Sequence, residues 1–342
     1  MPRFTLLIVL AALLAPVASA APHAKTWSPT RTADGHPNLS GVWSNASVTK
    51  LTRPPGMKPV LTAAEAKKLA TADPMVRRQS ADAAPSDASE GAPAPGNPGG
   101  YNAFWLDPGS AYGQVNGEYR TSWIVDPADG QPPFSDAGKK LVQAANAFAR
   151  AADFPADPEG LEPWDRCLIS SRGSGGPGML NNIYNSNLQI VQTPGSVAIV
   201  IEMIHDARNI PIFPSKAAAQ AGHGPAVLHL WLGDSTAWWE GDTLVVETLN
   251  VNAEQGRAGP IFLTPKARVT ERFSRASAGQ IFYEFQVEDP VYYTRPWRAE
   301  MSLNTMKDQL FEYACHEGNY AMADILHGVR AGEAKGAPTG GR

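Results

Sequence analysis

The stretch LQIVQTPGSVAIVIEMIHD (188–206) holds two apolar-rich runs, LQIVQT (188–193) and VAIVIEMIHD (197–206), parted by Pro194-Gly195-Ser196. The pattern repeats downstream. STAWW (235–239) and TLVVET (243–248) are joined by Glu240-Gly241-Asp242, and ARVTERFSR (267–275), IFYEFQVED (281–289), PWRAEMSL (296–303) and QLFEYACHE (309–317) follow. Short runs of β-branched and aromatic residues between Gly, Pro, Asn and Asp read as strands. Loops this short join antiparallel neighbours, because a parallel pair needs a crossover of about a dozen residues or more. At least seven strands in a row imply a mainly β fold, an antiparallel meander closed as a barrel or folded as a sandwich.

Upstream, Asn38–Trp43 reads as a first short strand, and its Gly41-Val42-Trp43 resembles the opening strand of lipocalin-type barrels. The expected architecture is therefore a lipocalin-like barrel with a few peripheral helices. LTAAEAKKLATAD (61–73) is one helix, with Thr62 and Glu65 in a capping box. Ser135 caps a second, 136–152, whose Leu141, Ala145, Phe148 and Ala152 share a face and are expected to pack on or plug the barrel end. A third, within 319–334, is expected to end near Gly328. RGSGGPG (172–178) lacks the Lys-Ser/Thr of a phosphate-binding loop and reads as an adaptable loop over the barrel mouth.

The chain opens MPRFTLLIVLAALLAPVASAAP. A basic Arg3, an apolar run from Phe4 to Val17 and a small-residue Ala18-Ser19-Ala20 site read as a signal peptide, residues 1–20. The run is short for a membrane span, and Pro16 interrupts it. One domain is expected over 21–330, with a flexible insertion at 80–100, where no large apolar residue occurs, and a disordered tail at 331–342. A periplasmic or secreted location follows, with no membrane span after cleavage. Net charge is −4 with charged residues at 18%, so nothing favours nucleic acid as a partner. Export makes a Cys167–Cys315 disulfide the expectation, two separate buried thiols being the alternative.

No catalytic signature is present, so candidate site residues are polar groups that interrupt or end apolar strand faces. Val197, Ile199, Ile201, Met203 and His205 share a strand face. His205 there suits acid–base work, or simply bonds a loop carbonyl. Tyr313 and Glu317 flank Cys315 on one face and are the candidate acid partners of a His205 base, a capping role for Glu317 being the alternative. Arg295, set among Tyr292, Tyr293 and Trp297, fits an anionic group or a ring stack. Arg295 and Trp297, with Asn182 and Tyr184 from NNIYNSN (181–187), are the candidate substrate-binding residues. His205, His223, His229, His316 and His327 lack ligand spacing, so neither a metal nor another cofactor is expected.

Read together, MIHDAR (203–208), WLGDSTAWWEGDTLVVET (231–248), ERF (271–273), VEDPVYYTRPW (287–297) and EYACHEGN (312–319) resemble a widespread, mostly uncharacterised family of exported bacterial proteins, as do DGHPNLSGVW (34–43) and RTSWIVDPADG (120–130). Relatives often carry an Arg before the Trp where this chain has Ala237. The resemblance implies export but no activity, cofactor or catalytic residue. Two functions are expected from the residues: a cofactor-free lyase or isomerase acting on a small aromatic or apolar compound, or a non-catalytic carrier of an apolar ligand.

Overall fold

The computed structural model describes residues 27–82, 106–149, 157–170 and 173–334. Its strands are β1 (Gly41–Ser44), β2 (Val60–Leu61), β3 (Gln114–Val115), β4 (Glu118–Arg120), β5 (Ile124–Asp126), β6 (Asn187–Gln192), β7 (Ser196–Ile201), β8 (Ala207–Pro211), β9 (Asp234–Glu240), β10 (Thr243–Leu249), β11 (Arg268–Ser277), β12 (Gln280–Glu288) and β13 (Trp297–Thr305). The main sheet runs β8-β7-β6-β1-β13-β12-β11-β10-β9. Two antiparallel meanders, β6 to β8 and β9 to β13, are thus bridged by β1. The short β5 pairs with β13 at Arg298 and Ala299, beyond the reach of β1, which meets β13 at Asn304 and Thr305.

Nine strands that alternate in direction leave the two outermost strands parallel. Strands β8 and β9 meet in that sense, through a parallel bridge between Ile212 and Ala237 and a bond from Phe213 N to Ala237 O at 2.7 Å. The result is a nearly closed barrel. Its two ends differ. At one end lie tight turns such as Thr193–Ser196 and the turn at Gly241, whose φ of +59° suits a residue without Cβ. At the other end lie the long connections, 45–186, 202–206, 250–267 and 289–296.

Alternation along the strands sends one face inward. Leu188, Ile190, Val197, Ile199, Ile201, Leu244, Val246, Phe273, Phe285, Met301 and Leu303 are buried in one continuous core. Trp43 and Trp297 join them, and the Trp297 ring packs edge-on to Phe285 and Tyr293. The segment expected to hang over the mouth is instead buried from Ser174 to Leu180. Its glycines let the backbone itself fill the barrel end. A Cβ on Gly175 would lie 2.3 Å from Asp206 Oδ2, and one on Gly176 would lie 2.8 Å from Arg208 Nη1.

The helices are α1 (Ala63–Ala72), α2 (Pro74–Asp82), α3 (Asp136–Ala149), α4 (Lys216–Ala221) and α5 (Ala321–Ala334). Helix α1 carries the expected Thr62–Glu65 capping box. Ser135 accepts from Gly138 N at 2.8 Å at the start of α3. That helix does not plug the barrel: its first turn is seated at Gly138, but Leu141 is 43% exposed. Helix α5 continues past Gly328 to Ala334, taking in the first residues of the expected tail.

Two local expectations are corrected. The run 309–317 forms no strand, because it has no partner strand to take its backbone groups. The chain also leaves strand geometry after Ile201, so His205 does not extend a strand face. The signal peptide and nearly all of the 80–100 insertion lie outside the described residues.

Candidate functional site

Inside the barrel, near the end with long connections, charged side chains converge. Arg208 on β8, Glu271 on β11 and Tyr283 on β12 are all buried among the apolar side chains of the core. Arg208 Nη1 donates to Glu271 Oε1 at 2.9 Å, and Nη2 donates to Oε2 and to Thr248 Oγ1. Tyr283 OH donates to Glu271 Oε1 at 2.6 Å and accepts from Met179 N at 2.9 Å. Burial opposes the Arg208 charge, but the adjoining Glu271 carboxylate more than offsets that and holds its pKa above the usual value. Burial, reinforced by Glu271, pushes the Tyr283 phenol well above its ordinary range. These bonds occupy both carboxylate oxygens, and the glycine-rich segment covers the group. This is a closed polar keystone that ties β8, β10, β11 and β12 together.

Towards the long-connection end the β8–β9 seam opens into a slot of about 360 Å³, lined by Arg208, Asn209, Asp234 and Ser235 among others. His223 orders its outer lip, with Nδ1 2.9 Å from Asp234 Oδ2 and Nε2 3.1 Å from Thr236 Oγ1.

The candidate residues from the sequence separate into three places. His205 and Tyr313 meet, but His205 is exposed and its Nδ1 lies 3.2 Å from the Tyr313 backbone oxygen. The turn that places His205 is unusual. Ile204 and His205 both take left-handed φ, +56° and +49°, a strained state for a β-branched residue. It buries Ile204 while Ile201 N reaches Asp206 O at 2.7 Å and closes the turn. Burial raises the Asp206 carboxyl above its usual value, although it accepts from Ser170 N at 2.8 Å. The Tyr313 phenol is half-buried and pushed up to about 12 by burial and the neighbouring Tyr184 phenol. Glu317 is exposed and makes no hydrogen bond or ion pair among the described residues. Cys167 and Cys315 form the expected disulfide, with Cα atoms 5.9 Å apart. It anchors the irregular 306–320 segment beside the β7–β8 turn, where Phe311 N also donates to Glu202 Oε1 at 3.3 Å.

Arg295 is on the rim, 3.1 Å from Asp126 Oδ1, and stacks on no ring among the described residues. Trp297 is 1% exposed, so its ring belongs to the core rather than to a surface that a ligand reaches. Asn182 lines a third place.

That place is an open cleft of about 600 Å³ at the long-connection end. One wall is the segment 47–55 that follows β1. The others come from the α1–α2 junction at Asp73 and Met75, from Leu180–Ile183, and from Pro108, Gln131 and Pro260. The first wall is laced in place. Asn181 Nδ2 donates to Ser47 O at 2.6 Å while its Oδ1 accepts from Trp123 Nε1 at 2.9 Å. Thr49 Oγ1 donates to Arg120 O at 2.9 Å, and Arg53 N donates to Gly130 O at 3.0 Å. Pro54, Pro55, Pro108 and Pro260 line it as well, stiff apolar surface with no N–H to satisfy.

Sequence reasoning missed Arg208, Glu271 and Tyr283. The signal was present, since Glu271 stands between Val269 and Phe273 on one strand face. Among the described residues no three His, Cys, Asp or Glu side chains come together to hold a metal. No helix among them is long and apolar enough to cross a membrane. No protein-family model, curated protein or solved structure matches the chain.

Proposed function

We propose that this is an exported small-molecule-binding β-barrel protein that holds an apolar or aromatic ligand in the cleft beside segment 47–55, and acts as a carrier. The observation that carries this reading is the cleft itself. Its volume of about 600 Å³ falls in the range of small-molecule sites, which are concave, mostly apolar and largely pre-formed. Val48, Leu51, Met75, Leu180, Ile183 and the prolines supply apolar surface, and the Asn181 and Arg53 bonds fix its shape in advance, which lowers the cost of binding. The disulfide supports export, because such bonds persist in oxidising compartments.

Binding is favoured over lyase or isomerase chemistry. The acid–base set His205, Tyr313 and Glu317 joins only through one backbone oxygen. The charged group within the barrel is turned on itself: both Glu271 oxygens and both terminal nitrogens of Arg208 are hydrogen-bonded, while Arg208 Nε is buried without a partner among the described residues. The test is native mass spectrometry of the protein after gentle purification, with Ile183→Trp and Met75→Trp as variants that fill the cleft. The wild type should retain a small molecule and both variants should lose it while their melting temperatures hold. Equal retention by all three proteins would contradict the cleft, and conversion of the retained compound on incubation would contradict the carrier.

A further inference from the structure

The charges of the cleft are uneven. Lys50 and Arg53 stand three residues apart on the same wall, and among the described residues Asp73 is the one acidic side chain that lines the cleft. Asp73 is already engaged: its Oδ1 accepts from Met75 N at 2.8 Å and from Val76 N at 3.4 Å, at the start of α2. Lys50 is exposed at the mouth and makes no side-chain hydrogen bond or ion pair among the described residues. Arg53 is half-buried. Its Nη1 donates to Ala128 O at 2.7 Å, while its Nε is buried with no partner. Among the described residues Arg53 has no carboxylate within ion-pair distance, whereas nine other arginines are ion-paired. A chain whose net charge is −4 therefore concentrates two cations without ion-pair partners among the described residues on one wall of a cleft whose remaining lining mixes prolines and apolar side chains with Ser, Thr, Asn and Gln. A guanidinium and an ammonium placed this way attract an anion, and the guanidinium adds directional donors.

We propose that the ligand is a small organic anion, an apolar body carrying a carboxylate or a like group, with the body against Met75, Leu180 and Ile183 and the charge between Lys50 and Arg53. This rests on the cleft being the binding site. The test compares 2-naphthoate, 2-naphthamide and 2-naphthylmethylamine by titration calorimetry on the full mature protein. These probes share a body and differ in charge. Naphthoate should bind about tenfold more tightly than the amide, as a charge-assisted contact implies, and the amine should bind most weakly. Lys50→Gln, an exposed change that leaves folding intact, should weaken naphthoate several-fold and leave the amide unchanged. Raising the salt should narrow the gap between acid and amide. Amide or amine binding as tightly as naphthoate, with all binding lost in Ile183→Trp, would overturn the anion and leave the cleft standing. Failure of all three to bind, or binding that survives Ile183→Trp, would overturn the cleft and the anion together.

Discussion

The Arg208 guanidinium grips the Glu271 carboxylate inside the barrel, with the two side chains only 2% and 0% exposed. Removing one partner strands a buried charge, whereas replacing both with apolar groups does not. Glu271→Leu and Arg208→Met should each destabilise the fold by about 3–5 kcal/mol. The double variant Arg208→Met/Glu271→Leu should recover most of that loss. Urea denaturation of the four proteins measures the cycle, and additive losses would refute the keystone role.

The Tyr283 phenol titrates well above its ordinary 10 in the folded protein. A group whose folded pKa is raised contributes stability below its unfolded pKa and loses it as pH climbs towards the folded value. Stability should thus fall from about pH 10 upward, by about 1.4 kcal/mol per pH unit from this residue. Tyr283→Phe should flatten that slope. It should also cost about 1–2 kcal/mol near neutrality, through the lost bonds to Met179 N and Glu271. Denaturation series between pH 8 and about 11.5 would show both effects.

The buried glycine-rich segment has no room for side chains. Gly176 combines a φ of +86° with a Cβ position 2.8 Å from Arg208 Nη1. Gly176→Ala should destabilise by about 1–3 kcal/mol. Gly195→Ala, where nothing lies within 4 Å of the added Cβ, should be close to neutral. Equal effects at the two positions in thermal denaturation would mean that the segment is not packed as described.

The Cys167–Cys315 bond closes a separation of 148 residues. Cys167→Ser/Cys315→Ser should cost about 2–5 kcal/mol. It should also free the 306–320 segment from the β7–β8 turn, so that proteolysis near Phe311 quickens ahead of cuts within the barrel strands. Unchanged cleavage would show that the Glu202 and His205 contacts hold the segment by themselves.

The strands that carry clean alternation were legible in the sequence. β6, β7 and β9 to β13 lie where the apolar runs and their turns put them, because a half-buried sheet demands that pattern. β8 was not legible: ARNIP (207–211) is short and mixes Arg, Asn and Pro. The alternation of Phe311, Tyr313 and Cys315 misled in the opposite direction, because pattern alone does not supply a partner strand. His205 escaped because nothing between Ile201 and Asp206 is a glycine, yet Ile204 and His205 turn left-handed. The candidate cleft was legible only at Asn182. Its walls come from loops far apart in sequence, each polar or proline-rich, and concavity between loops leaves no local period to read.

Backbone amide shifts on titration with 2-naphthoate test the cleft most directly. Binding there predicts perturbations gathered at Lys50, Arg53, Met75, Asn182 and Ile183, with the amides of Glu271 and Tyr283 unmoved. Shifts centred on Arg208, Ser235 and Glu271, with segment 47–55 silent, would place the ligand at the barrel seam and contradict the cleft.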